Sequence, residues 1–116
     1  MNIKAPQIDW NDFAKVDIRV GTIVTAEVFT EAVKPALKLT IDFGTKIGIK
    51  KTSAQITKNY SPKNLVSKQV TAVINFPPKQ IANFMSECLI LGAVGNDNDV
   101  VLLQPERKIS NGTKVG

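Results

Sequence analysis

Histidine is absent from this chain, and cysteine occurs once, at position 88. Without imidazoles and with a single thiol, neither the usual zinc ligand sets nor a Ser-His or Cys-His nucleophile pair can be assembled. The glycine-rich phosphate loops of nucleotide enzymes are missing as well, since neither G-x-x-x-x-G-K-[ST] nor G-x-G-x-x-G occurs. These gaps argue against an enzyme and against a resident metal or cofactor. Cys88 has no thiol to pair with and opens the apolar run 88–94, the setting of a buried, inert side chain. No uncharged stretch reaches membrane-spanning length, and Met1 to Pro6 contains no apolar segment of the secretory kind. The expectation is a cytoplasmic protein that does not insert into membranes. Aromatics are also scarce, with one Trp, one Tyr and five Phe. Most of these are needed for a core.

What remains is an ordinary globular composition, 43% apolar and 22% charged over 116 residues, which suits one domain spanning residues 1–116. Charge is the positive signal. Between Lys34 and Lys79 stand nine lysines (34, 38, 46, 50, 51, 58, 63, 68 and 79) against one acid, Asp42. The other acids lie in Asp9 to Glu31 and from Glu87 to Glu106, so the middle of the chain should form a positive surface that suits a polyanionic partner. A solubilising lysine coat is the plainer alternative. Arginine occurs only at positions 19 and 107, which disfavours bidentate reading of base edges.

The periodicity is that of an all-β protein. Asp9 can cap a short helix through Phe13, whose Trp10 and Phe13 share one face. From Val16 to Val28 apolar residues recur at every second position, with Gly21 the natural place for a bulge. Leu37, Leu39, Ile41 and Phe43 alternate with polar residues in the clearest half-buried strand. Gly44-Thr45 turns it into Ile47 and Ile49, a hairpin whose outer face should carry Lys38, Lys46 and Lys50. Helical turns at Ile56 to Tyr60 and from Ser61-Pro62 to Leu65 then link to a fourth strand, Val70 to Ile74. The fifth runs from Leu89 to Val94, and Gly95 to Asp99 turns it into Val100 to Leu103. The order fits a five-stranded OB-fold barrel with a short N-terminal helix, a helical link between strands 3 and 4, and a C-terminal extension.

Within that frame Asn75-Phe76-Pro77-Pro78-Lys79-Gln80 is the least ordinary stretch. Two prolines fix φ and remove two donors, so strand pairing should stop and Lys79 should stand on a stiff turn. With Ser53, Gln55 and the Ser86-Glu87 pair it could form one mouth of the barrel, though the same residues also suit a plain surface turn.

Six blocks, in order, resemble one family: Phe13-x-Lys15-x-Asp17-Ile18-Arg19-Val20-Gly21-Thr22-Ile23, Lys34-Pro35-Ala36-Leu37-Lys38-Leu39, Ser53-Ala54-Gln55-Ile56-Thr57, Asn75-Phe76-Pro77-Pro78-Lys79, Ser86-Glu87 and Asn111-Gly112-Thr113. They are similar to the CsaA proteins, the stand-alone branch of the tRNA-binding domain also found at the C-terminus of many bacterial methionyl-tRNA synthetases. The resemblance covers essentially the whole chain. It implies a homodimeric OB-fold that binds tRNA by shape and backbone, and in CsaA an export-related chaperone as well. The family's binding groups fall on Lys34, Lys38, Ser53, Gln55, Asn75, Lys79, Ser86 and Glu87, to which the charge pattern adds Lys50. Val33 departs from the pattern, because relatives often carry a basic residue just before the Lys-Pro pair.

Two functions follow as expectations. In the first, Lys34, Lys38, Lys50 and Lys79 neutralise tRNA phosphates while Ser53, Gln55, Asn75 and Ser86 bond to sugar, phosphate or an exposed base. In the second, the same cleft takes unfolded preprotein segments for the export machinery, with Tyr60, Phe76 and Phe84 as apolar contacts. Trp10, Phe13, Ile109 and Val115 are the candidate homodimer contacts.

Overall fold

The computed structural model describes residues 4–116. A helix α1 (Trp10–Ala14) opens the chain, capped as expected: the Asp9 carboxylate accepts from the Asp12 N–H at 2.9 Å, and the Asp12 carboxylate accepts from the Asp9 N–H. The strands are β1 (Ile18–Val28), β2 (Leu37–Asp42), β3 (Ile49–Ala54), β4 (Gln69–Val73), β5 (Lys79–Ile81), β6 (Phe84–Ser86), β7 (Leu89–Ile90), β8 (Gly92–Val94), β9 (Val100–Leu102) and β10 (Lys114–Val115). Five of them lie in the order β3-β2-β1-β4-β7, all antiparallel, and make a nearly closed OB-fold barrel.

β1 holds the barrel together because it serves two neighbours in succession. Its first half pairs with β4, from Ile18↔Val73 to Thr22↔Gln69, and its second half with β2, from Thr22↔Asp42 to Val28↔Leu37. The irregularity that permits the change lies between Ile23 and Thr25, not at Gly21. Gly21 answers a different need. A Cβ there would lie 2.6 Å from Ile41 Cγ2 and 2.8 Å from the Phe43 ring, so no side chain fits where β1 crosses the core.

The core is the inner face of this sheet. Leu37, Leu39, Ile41 and Phe43 from β2 and its end are almost fully buried with Ile23, Leu65 and Val70, and burying each such side chain contributes about 1.5–3 kcal/mol. The link between β3 and β4 is helical: the Tyr60 N–H donates to the Ile56 carbonyl, and a 3-10 turn at Pro62–Asn64 follows, with Ser61 before it. Beyond it, the Tyr60 hydroxyl accepts from the Leu102 N–H at 3.0 Å.

Strand β3 departs from the sequence reading. Its buried residues are Thr52 and Ala54, opposite Leu39 and Leu37, whereas Ile49 is 62% exposed. The turn from β2 is longer than two residues: the Gly48 N–H donates to the Gly44 carbonyl and the Phe43 N–H to the Gly48 carbonyl, and both glycines have left-handed φ. Ile47 is spent in that turn, packed against the core. Because side chains alternate with period two, the shift exchanges the faces of all that follows. Lys51 and Ser53 therefore stand on the outer face with Lys38, and Lys50 lies opposite buried Ile41. Lys46 remains in the turn.

Thr52 closes the seam between β3 and β7. Its hydroxyl donates to the Cys88 carbonyl at 2.7 Å, while the Glu87 N–H donates to the Lys51 carbonyl and the Glu87 carboxylate accepts from the Lys51 N–H. The expected fifth strand is divided at Leu91 into β7, which pairs with β4, and β8, which pairs with β9. At the other end, β10 pairs with β1 at Ile18↔Val115, and Gln69 holds the Ile109 backbone through both its amide groups. Val115 thus joins the sheet through its backbone, with its side chain half-buried.

Candidate nucleic-acid interface

The prolines at 77 and 78 end no pairing for long. β5 starts immediately after them and pairs with β6, Lys79↔Ser86 to Ile81↔Phe84, in a small hairpin turned at Ala82 with φ of 51°. Lys79 accordingly stands on a strand edge and not on a turn. Ser86 fastens the hairpin to the barrel: its hydroxyl lies 3.1 Å from Thr52 Oγ1 and accepts from the Ser53 N–H at 3.3 Å. Phe84 fastens the other side. It meets Phe29 edge-on at 5.4 Å between centroids and lies beneath two ammonium groups, Lys38 at 5.7 Å and Lys51 at 5.2 Å. Such contacts contribute about 0.5–1 kcal/mol each at exposed sites. The sequence reading missed this cluster, although Lys38 and Phe84 were both in view.

Between the hairpin, the β1–β2 connection and the end of β3 lies a cleft of about 920 Å³. Five of the expected residues line it: Lys34, Ser53, Gln55, Lys79 and Ser86. Its floor is apolar and comes from residues never singled out for it, including Ile56, Ile81, Leu89 and Leu102. Val33 and Phe76 stand at its edge, Phe76 54% exposed. Four expected residues lie elsewhere, among them Glu87, whose carboxylate accepts from the Lys51 N–H at 3.0 Å. Lys38 is set beside the cleft, opposite Ser53, with its ammonium 3.4 Å from Glu27 and over the Phe29 ring. Lys50 approaches Cys88 instead, where its charge opposes the effect of burial on the thiol. The Asn75 side chain clasps the chain entering β1, donating to the Lys15 carbonyl at 2.7 Å and accepting from the Asp17 N–H at 3.0 Å.

Titration behaviour follows the surroundings. Burial pushes the Cys88 thiol up to about 11, so it stays protonated at neutral pH despite lining the cleft. Glu31, in the β1–β2 connection, is held below the ordinary carboxylate range by a backbone hydrogen bond first and Thr30 second, with smaller help from Lys38 and Asn83. A carboxylate that stays ionised there offers no proton donor. Among the described residues no group of three His, Cys, Asp or Glu could hold a metal ion, and no helix is long and apolar enough to cross a membrane.

Of the four residues named for a dimer contact, Trp10 is 76% exposed and Ile109 is exposed, while Phe13 and Val115 are half-buried. The Trp10 and Phe13 rings rest on each other at 5.8 Å, and α1 buries none of its residues.

Comparison with known proteins places these features. Residues 18–114 match the family described as putative tRNA binding domain. The solved structure of chaperone CsaA from Bacillus anthracis is 50% identical, with a TM-score of 0.91 over 96% of this chain and 100% of that one. That of CsaA chaperone protein from Picrophilus torridus is 53% identical, with a TM-score of 0.88 over 95% and 100%. Among curated proteins, methionine–tRNA ligase of Methanococcoides burtonii is 35% identical over 106 residues, 91% of this chain. The chain spans only 15–16% of the length of the ligases it matches. It belongs to the tRNA-binding-domain family, in the CsaA branch.

Proposed function

We propose that this chain is a non-catalytic tRNA-binding protein whose RNA face is the cleft between the β1–β2 connection and the β5–β6 hairpin. The observation that carries the reading is positional: in an OB-fold these two connections flank the ligand face, and here they bring Lys34 and Lys79 together with Ser53, Gln55 and Ser86. Lys34 and Lys79 neutralise phosphates, and Ser53 and Gln55 bond to sugar or phosphate. Lys38 and Lys50 add charge beside the cleft, and Ser86 and Asn75 act chiefly by fixing its walls. Working in the cytoplasm, the chain pairs through the exposed Trp10 and its neighbour Phe13, with Ile109 and Val115 at the edge, which doubles the footprint on a folded RNA.

One observation favours a second activity, an export-related chaperone for unfolded preproteins. The floor of the cleft is apolar, as an extended polypeptide needs, and both CsaA structures above are described as chaperones.

The test is tRNA affinity against salt. Affinity should fall with a log-log slope of about −0.9 per neutralised phosphate for a duplex-like target, and Lys34→Ala/Lys79→Ala should lower the slope by about 2. Binding that ignores salt, or a double variant with unchanged slope, refutes the reading.

A further inference from the structure

A smaller recess of about 210 Å³ adjoins the cleft and shares Lys34 and Gln55 with it, its wall completed by Thr57, Lys58, Asp97 and Asn98. The recess is built, not accidental. Asn59 Nδ2 donates to the Asp99 carboxylate at 2.7 Å and to the Val100 carbonyl at 3.0 Å, tying one wall to the other. Lys58 Nζ donates to the Asp97 carbonyl at 3.4 Å, which keeps that ammonium near the recess. Asp97 and Asn98 both hold left-handed φ, 55° and 62°, which turns the loop sharply at the recess wall.

An apolar trough thus ends in a polar pocket bearing two ammonium groups against one carboxylate. A duplex cannot use that combination, because its base faces are stacked inside and it offers mainly phosphates and groove edges. An unpaired nucleotide can, since it presents a base face and, one step along, a phosphate. The trough volume of 920 Å³ is near the top of the range of about 300–1,000 Å³ for small-ligand sites, enough for a few nucleotides and too confined for a helix.

We propose that the cleft seats an unpaired RNA segment, with a base against Phe76 and the Ile81–Leu89 floor and the adjoining phosphate in the recess between Lys34 and Lys58. The inference rests on the tRNA-binding reading and narrows it from the folded shape of tRNA to an exposed single strand. A tRNA offers two sources of such a segment, a loop and the 3′ end.

Fluorescence anisotropy decides it, using a short oligouridylate, a blunt RNA duplex with the same number of phosphates, intact tRNA, and tRNA stripped of its unpaired 3′ end. The oligouridylate should displace tRNA and bind roughly tenfold tighter than the duplex. Phe76→Ala should weaken it about tenfold, and Lys58→Ala should lower its salt slope by about 0.7. Lys46→Ala, changed in the β2–β3 turn away from the cleft, should leave both alone. Tenfold weaker binding of the stripped tRNA identifies the 3′ end as the source, and unchanged binding identifies a loop, provided the oligouridylate still competes. If tRNA binds but the oligouridylate does not compete, or the duplex binds as tightly and Phe76→Ala changes nothing, this inference fails while the tRNA reading stands. A reduced, alkylated polypeptide that occupies the cleft and that oligouridylate cannot displace assigns it to peptide instead. Absence of tRNA binding in every arm overturns both readings.

Discussion

The barrel interior and the floor of the cleft are made of the same kinds of side chain, and they meet along β3 and β7. Inside, Leu39 and Ile41 are within 1% of full burial. In the cleft, Leu89 is 48% exposed and Val94 78% exposed. The difference is whether a second layer of chain covers them. The interior is wrapped by β1 and its neighbours, whereas the cleft is walled by the β1–β2 connection, the end of β3, a hairpin of three-residue strands and a second short pair, β8–β9. Apolar residues covered by their own chain stabilise the fold, and contiguous ones left open mark a place for something else.

That contrast can be broken by substitution. Ile41→Ala should cost about 2–5 kcal/mol in urea unfolding, since no neighbour can collapse fully into the space. Val94→Ala, the same kind of truncation in the cleft, should cost no more than about 0.5 kcal/mol. Comparable losses would mean that Val94 is part of the folding core.

Cys88 lies on the border between the two regions, and pH sharpens the comparison there. The folded thiol keeps its proton to about 11, against an ordinary value of 9.0. Between those values the unfolded chain binds fewer protons than the folded one, so stability from this group is complete below 9.0 and is lost as pH rises toward 11. Cys88→Ala should flatten that part of the stability profile, measured by denaturant midpoint, while the neutral range falls only by a pH-independent offset from the lost packing. Parallel profiles for the two proteins would place the thiol in contact with water.

The interior was legible in the sequence because its signal is periodic. Leu37, Leu39, Ile41 and Phe43 announce β2, and Asp9 and Ser61-Pro62 mark helical starts that the structure contains. The phase of β3 was not legible, because its buried positions are Thr52 and Ala54, one polar and one small, while the more apolar Ile47 and Ile49 are used in and beside the turn. Gly21 was noticed for the wrong reason: a glycine in a strand signals either a bulge or a close approach, and only the position of Ile41 and Phe43 decides between them. Most of the cleft was hidden for a related reason. Lys34, Ser53, Gln55, Lys79 and Ser86 came from motif and charge, but Ile56, Ile81, Leu89 and Leu102 reach the floor from four separate elements with no shared spacing. The Asn75 side chain, whose polarity suggested a ligand contact, bonds to the backbone at Lys15 and Asp17.

Amide chemical shifts of the labelled protein, followed as tRNA is added, test the central claim most directly. The account predicts that the largest changes fall on Lys34, Ser53 to Gln55 and Lys79 to Ser86, with Lys46 and Lys63 nearly still. Changes concentrated at Lys46 and Lys63, with the cleft silent, would contradict it.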